Sequence, residues 1–287
     1  IHEVSLPDAL PNIRFYKDRK LIVRTNPFDG ELDVLGDVGG RYTIWSNEDH
    51  FRFADNLLHG QGTWETMGSI KNGTVVFGAM SMESLEDIVI DPQGARDIVQ
   101  NYILAYTAHD GTGSANFGFT PIRVVCQNTL NLAVAQGIKS VYKVRHTPGA
   151  TVKREEAQKL MGISLRYSEA MAKEFQSLFE LDCTDQQFDD IIKAEYKEPD
   201  TDAEKGAYKK WETKREQLWD IYTGPTCTTI RGTGWGAFNA MTERLDWGRK
   251  PRKGETENVM IAAAGLDDLV TASKEHIFYT VKDLLTV

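Results

Sequence analysis

Residues 64–82 read WETMGSIKNGTVVFGAMSM, and residues 102–119 read YILAYTAHDGTGSANFGF. Each stretch is rich in β-branched and aromatic residues and is broken once, by Lys71-Asn72-Gly73 in the first and by Asp110-Gly111 in the second. Asn-Gly and Asp-Gly tolerate the positive φ angles of a tight turn whose twist matches that of antiparallel strands. The two stretches therefore predict two β-hairpins, Trp64–Ile70 with Thr74–Met82 and Tyr102–His109 with Thr112–Phe119. Together they make four strands of one antiparallel sheet.

Before the hairpins, residues 11–24 have two apolar-rich halves around Lys17-Asp18, as paired strands do. A glycine-rich passage, Gly36 to Gly40, leads to a short strand candidate, Arg41–Trp45. Ser46 reads as the N-cap of a helix, with Glu48 and Asp49 in the first turn, where the helix dipole favours them. Phe51, Ala54, Leu57 and Leu58 give that helix an apolar face, and it should end near Gly60. Beyond the second hairpin, Thr120-Pro121 looks like an N-cap followed by proline at the first helical position. Ile122, Val125, Cys126, Leu130 and Ala133 then recur at helical spacing up to Gly137. This pattern predicts a helix lying across the sheet.

The remainder reads as helical. One segment begins at Thr151 and runs past Phe179. Another has capping-box spacing at Thr184 and Gln187. A third surrounds Trp211 and Trp219, a fourth is capped by Thr233, and the last carries Leu266 to Leu284. The fold class is α+β: an antiparallel sheet built from consecutive hairpins, a helix packed across it, and a mainly helical C-terminal half. Residues 1–150 form the α+β core and residues 151–287 the helical region, with nothing in the pattern to separate them.

Composition narrows the functional classes. The 287 residues are 41% hydrophobic and 26% charged, which suits a soluble globular chain, and no apolar run approaches the length that spans a bilayer. Ile1-His2-Glu3-Val4 has neither the basic nor the apolar region of a secretory signal, and the missing initiator Met implies a natural start upstream. Cys126, Cys183 and Cys227 are odd in number and widely spaced, so reduced, structural thiols and a cytoplasmic location are expected. The formal charge of -9 argues against a surface uniformly attractive to nucleic acid. Charge is nonetheless segregated: Lys139–Lys159 holds six Lys/Arg against two Glu, Arg244–Lys253 five against one Asp, and Glu180–Asp202 nine acidic residues against two Lys.

Several segments resemble the phage/plasmid-like protein family, whose shared domain has no established function. They are Asp37-Val38-Gly39-Gly40-Arg41-Tyr42 with Ser46-Asn47-Glu48, Trp64–Ser69, and His109-Asp110-Gly111-Thr112-Gly113. The most specific is Phe119-Thr120-Pro121-Ile122-Arg123-Val124-Val125-Cys126-Gln127-Asn128-Thr129-Leu130, followed by Val144-Arg145-His146-Thr147. Gly232-Thr233-Gly234-Trp235-Gly236 with Asn239, Thr242 and Glu243 completes the set, so the likeness runs from about residue 35 to about 250. The resemblance implies a protein of phages, prophages or plasmids acting in a bacterial cytoplasm. It implies no catalytic residues.

The residues themselves offer these candidates. Arg123, in the first turn of the expected helix, either grips a phosphate together with the helix N–H groups or forms an ion pair tying helix to sheet. Cys126 is either a nucleophile or a packed thiol on the apolar face. His109 at a hairpin tip and His146 beside Arg145 are the histidines best placed for chemistry. Lys139, Lys143, Arg145, His146, Lys153 and Arg154 form one basic stretch, and Arg249, Lys250, Arg252 and Lys253 another around Pro251. Gly232–Gly236 precedes a helix but lacks the Lys-Ser/Thr of a phosphate loop, so close packing explains its glycines better. Metal, cofactor and hydrolase motifs are absent, and Asp189-Asp190 reads as a solvated face. Three functions remain open. The first is a single-stranded nucleic-acid-binding protein of replication or recombination, of the single-strand annealing type and a homo-oligomer. The others are a factor that binds a host protein and an unfamiliar enzyme.

Overall fold

A computed structural model describes residues 1–5, 12, 18–57, 62–82, 85–123, 128–129, 141–146, 154–200, 205–248 and 268–286. The chain divides into two compact units that interleave along the sequence. Unit 1 takes residues 1–85, 102–119 and 139–165, and unit 2 takes 86–101, 120–138 and 166–287. The boundary expected at residue 150 is not an edge of either unit.

Unit 1 begins with a three-stranded antiparallel sheet, β1 (His2–Ser5), β2 (Arg19–Thr25) and β3 (Leu32–Gly39), with a bulge at Ile22/Val23. Ile22, Leu35 and Val38 form its core, against which Tyr42 and Ile44 pack. Gly36–Gly39 thus belongs to a strand. The strand expected at Arg41–Trp45 is instead irregular chain, because Tyr42 turns back on Gly39 through a 2.9 Å backbone bond. Ser46 does cap a helix, α1 (Asn47–Leu57): its Oγ accepts from the Asp49 N–H at 3.0 Å. His50, Ala54 and Leu57 are the buried face of α1.

Both hairpins are present. β4 (Gly62–Ile70) and β5 (Val75–Met82) flank a turn in which Lys71, Asn72 and Gly73 all have positive φ. β7 (Asp97–Ala108) and β8 (Ala115–Arg123) flank Asp110-Gly111, with Gly111 at φ 78°. β5 pairs with β7, so the hairpins join one seven-stranded sheet of order β10-β8-β7-β5-β4. β6 (Ile88–Ile90) pairs with β7, β9 (Asn128–Thr129) pairs with β8, and β10 (Val141–Val144) continues the order beyond β8.

The helix expected from Thr120 is corrected. Thr120-Pro121-Ile122-Arg123 prolong β8, where Ile122 faces Thr129 and Arg123 faces Asn128. A residue preceding proline is biased to extended backbone, so Thr120-Pro121 suits a strand as well as a helix start, and pairing with β9 decides. The rest of that expected helix lies outside the described residues, apart from the paired Asn128–Thr129. α1 packs on the sheet. The rings of His50 and Phe53 meet Phe117 of β8 at 4.7 and 4.5 Å, and Phe51 meets Trp64 of β4 at 5.2 Å.

The C-terminal half is helical as expected: α2 (Arg154–Phe179), α3 (Asp185–Glu195), α4 (Lys205–Tyr222), α5 (Gly234–Asp246) and α6 (Asp268–Leu285). The fold is α+β. α3 starts with a complete capping box, Thr184 Oγ1 accepting from the Gln187 N–H and Gln187 Oε1 from the Thr184 N–H. Thr233 caps α5 through the Gly236 N–H at 3.1 Å. α5 is the spine of unit 2: Trp235, Ala237, Phe238, Ala240 and Met241 are fully buried, with α4 and α6 packed against it. Gly236 permits that approach, because a Cβ there would lie 2.3 Å from the Ile230 carbonyl oxygen. Close packing thus accounts for this glycine of the Gly232–Gly236 run.

Candidate functional site

β10 pairs antiparallel with β8, setting Tyr142 opposite Phe117, Lys143 opposite Asn116 and Val144 opposite Ala115. Strand residues alternate faces. Val144 and His146 turn inward and are buried, Tyr142 is half-buried against Phe53, and Lys143 and Arg145 turn outward and are exposed. Two exposed cations, Lys143 on the last strand in the sheet order and Arg145 just past its end, therefore lie about 6.6 Å apart along the backbone.

The inward side of this strand ends in a group of three buried histidines. His146 stacks on Tyr42 with ring centroids 4.9 Å apart, and its Nε2 meets Thr107 Oγ1 at 3.1 Å. The Thr43 N–H donates to the His146 carbonyl at 3.1 Å, anchoring the irregular 41–45 segment. His109 Nε2 meets Asn47 Oδ1 at 2.7 Å. His50 stacks on Phe117, and the Ala105 backbone beside its imidazole partly offsets the cost of charging it. Burial disfavours the charged imidazolium and pushes His50 down to about 3 and His109 down to about 4. Mutual repulsion within the group adds to both shifts, and burial lowers His146 as well. These are neutral core histidines, with aromatic rings against His50 and His146. His109 is a buried anchor of the hairpin end, not an accessible group at its tip. Tyr42, Asn47, His50 and Thr107 escaped the sequence reading. Tyr42 and Asn47 were visible there only as members of the family-like segments, and the spacing of His50 from Ala54 and Leu57 was the signal that could have found it.

Arg123 resolves to its structural alternative. Its side chain is fully buried in unit 2, with Nε 2.7 Å from Asp97 Oδ2 and Nη2 donating to the Thr226 carbonyl at 2.7 Å. Trp235 Nε1 donates to the same Asp97 oxygen at 2.7 Å. The guanidinium ties β8 to β7 and to the turn at Thr226, with no exposed surface to offer a phosphate.

Of the other candidates, Lys139, Lys153, Arg249, Lys250, Arg252, Lys253 and Cys126 lie outside the described residues. Arg154 opens α2, and its side chain is likewise outside them. Cys183 and Cys227 are buried, and burial pushes the Cys183 thiol up to about 11, so it stays protonated. Asp189 is buried rather than solvated, and receives Lys193 at 3.0 Å together with Arg215. Among the described residues no group of three or more His, Cys, Asp or Glu is placed to hold a metal ion, and no helix is long and apolar enough to cross a membrane.

The units differ in charge. Unit 1 carries 14 Lys/Arg against 15 Asp/Glu, a formal -1, whereas unit 2 carries 19 against 27, a formal -8. Nearly all the net negative charge of the chain therefore belongs to the unit that lacks β10.

No curated protein and no solved structure matches the chain. One family model does, over residues 34–265, a span that holds both hairpins, the histidine group, β10 and the α5 spine. The chain belongs to the family of the domain of unknown function DUF932.

Proposed function

We propose that this protein binds single-stranded nucleic acid through unit 1, as a phage- or plasmid-encoded factor of replication or recombination in the bacterial cytoplasm. The observation that carries this reading is the exposed pair Lys143, on β10, and Arg145, just past its end, in the unit that is almost electrically neutral. Two outward cations so spaced suit a nucleic-acid backbone, and a near-neutral body does not repel it as a strongly acidic one does. Function of the single-strand annealing type, with copies of the chain joining their strands into a larger oligomer, is the specific form proposed.

The test is fluorescence anisotropy with labelled single- and double-stranded DNA and RNA across a salt series, with particle mass measured on the same samples. Salt-sensitive binding that prefers single strands, on a large particle, is the expected result. No binding at about 50 mM salt, where phosphate contacts are strong, would sink the proposal.

One observation favours a second reading, a factor that binds a host protein. Phe28 in the β2–β3 turn is 94% exposed, and Leu32 and Val34 on β3 are 62% and 61% exposed. Asp29 and Glu31 lie between them in sequence, so this end of the small sheet offers an apolar strip with an acidic border to a basic partner. A nuclease-resistant complex lost in the Phe28→Ser variant distinguishes this reading from the first.

A further inference from the structure

Residues 41–45 form an irregular segment whose side chains alternate in exposure. Tyr42 and Ile44 pack against the core of Ile22, Leu35 and Val38, while Arg41 and Thr43 are exposed. The Thr43 N–H donates to the His146 carbonyl at 3.1 Å, and the Tyr42 and His146 rings stack at 4.9 Å. One backbone bond and one ring pair therefore tie this segment to the chain just past β10. Arg41 directly precedes Tyr42 in the stack, and Arg145 directly precedes His146. Consecutive alpha carbons are about 3.8 Å apart, so the junction holds those of Arg41 and Arg145 within about 18 Å of each other. The Gly40 N–H donates to the Asp18 carbonyl at 3.0 Å and the Tyr42 N–H to the Gly39 carbonyl at 2.9 Å, which fixes the backbone on both sides of Arg41.

The charges around this junction favour an anion. Arg41, Lys143 and Arg145 are exposed, and none of the three forms an ion pair with a carboxylate among the described residues. Acidic groups at the start of α1 and at the second hairpin turn are engaged elsewhere: Glu48 and Asp49 face Arg52, and Asp110 Oδ1 accepts from the Thr112 N–H and Oγ1. The Asp18 carboxylate lies against Gly40 and is the acidic neighbour that competes for Arg41.

We infer that Arg41 and Thr43 belong to the same nucleic-acid site as Lys143 and Arg145, with Arg41 on a further phosphate and the Thr43 hydroxyl donating to a phosphate oxygen. The inference rests on the reading of unit 1 as a single-strand-binding unit, and it extends the site from one stretch of chain to two, both in that unit. Three cations within roughly 25 Å suit the several nucleotides that such sites cover. Arginine, lysine and threonine contacts to phosphate carry no sequence information, so the grip of these four residues is independent of base identity.

The experiment is fluorescence anisotropy of a labelled oligothymidylate with the full chain across a salt series. Arg41→Gln should lower the slope of log K against log salt by about 0.7, the value for one phosphate of a single strand, and Arg41→Lys should restore it. Thr43→Val should weaken binding roughly threefold with the slope unchanged, the loss of one hydrogen bond. Asp18→Asn removes the competing carboxylate and should tighten binding. All these positions are exposed, so circular dichroism should not change. Failure of the wild-type chain to bind overturns the reading of unit 1 and this inference together. A slope that falls in Lys143→Gln but not in Arg41→Gln overturns this inference alone.

Discussion

Asp97 and Arg123 form an ion pair with 1% and 0% of their side-chain surfaces exposed, Nε to Oδ2 at 2.7 Å, at the start of one long strand and the end of the next. Two charges taken fully out of water persist only when paired and hydrogen-bonded, and Trp235 and the Thr226 carbonyl complete the set. Removing one partner strands the other. Asp97→Ala should therefore cost about 3–5 kcal/mol in urea unfolding, while the paired apolar replacement Asp97→Leu with Arg123→Met should cost much less. A double-variant loss equal to the sum of the Asp97→Leu and Arg123→Met single losses would show that the pair is not coupled.

The histidine group gives unit 1 an acid-sensitive stability. In the unfolded chain these imidazoles take up protons near pH 6.5, but in the fold His50 and His109 stay neutral down to about 3 and about 4. Their contribution is fully present above about pH 7 and is lost progressively as pH falls from 6.5 towards 4. His50→Phe should preserve the stack on Phe117 and reduce the pH slope in that window by one proton, roughly 1.4 kcal/mol per pH unit. Urea midpoints measured at half-unit steps provide the check.

Nucleic-acid binding, if it uses β10, has a countable electrostatic signature. Reversing Lys143 and Arg145 to Glu should abolish binding at physiological salt. Neutralising both to Gln should lower the slope of log K against log salt by about 1.4 for a single strand. Reversal of Arg52, an exposed cation already paired with Glu48 on α1, should leave that slope unchanged.

Two glycines should respond to alanine with opposite signs. At Gly236 the new methyl meets the Ile230 carbonyl, so Gly236→Ala should destabilise by about 1–3 kcal/mol. Gly162 is an exposed position of α2 where an added methyl would meet nothing within 4 Å, and Gly162→Ala should stabilise by about 0.5–1 kcal/mol. Thermal melts of the two variants measured side by side decide both.

What the sequence revealed was the local part of the fold. The Asn72-Gly73 and Asp110-Gly111 turns, the Ser46 and Thr233 caps and the Thr184–Gln187 box act through neighbours within a few residues, so their chemistry is visible in order along the chain. Thr120-Pro121 misled because its local preferences fit two structures, and the deciding partner, β9, is only two residues long. The site was less legible. Arg123 and its partner Asp97 are 26 residues apart, and Trp235 is 138 from Asp97, separations that carry no periodic signal. The histidine group gathers residues from α1, the end of β7 and the end of β10. Lys143 and Arg145 stood out as members of a basic stretch, but composition did not separate them from the buried His146 beside them.

The interleaving of the units bears on how the protein is made. Unit 1 is not complete until residue 165 has left the ribosome, and unit 2 awaits the last helix, α6, although it has already received residues 86–101 and 120–138. Early in synthesis, β7 and β8 each hold one half whose unit can assemble soon and another whose partners are not yet translated. Asp97 must wait for Trp235 while Tyr102, five residues later, can already meet Glu65. Order of synthesis and order of folding are therefore out of step along single strands, and a nascent chain stalled between residues 165 and 235 exposes the buried Asp97–Arg123 charges before their lid exists.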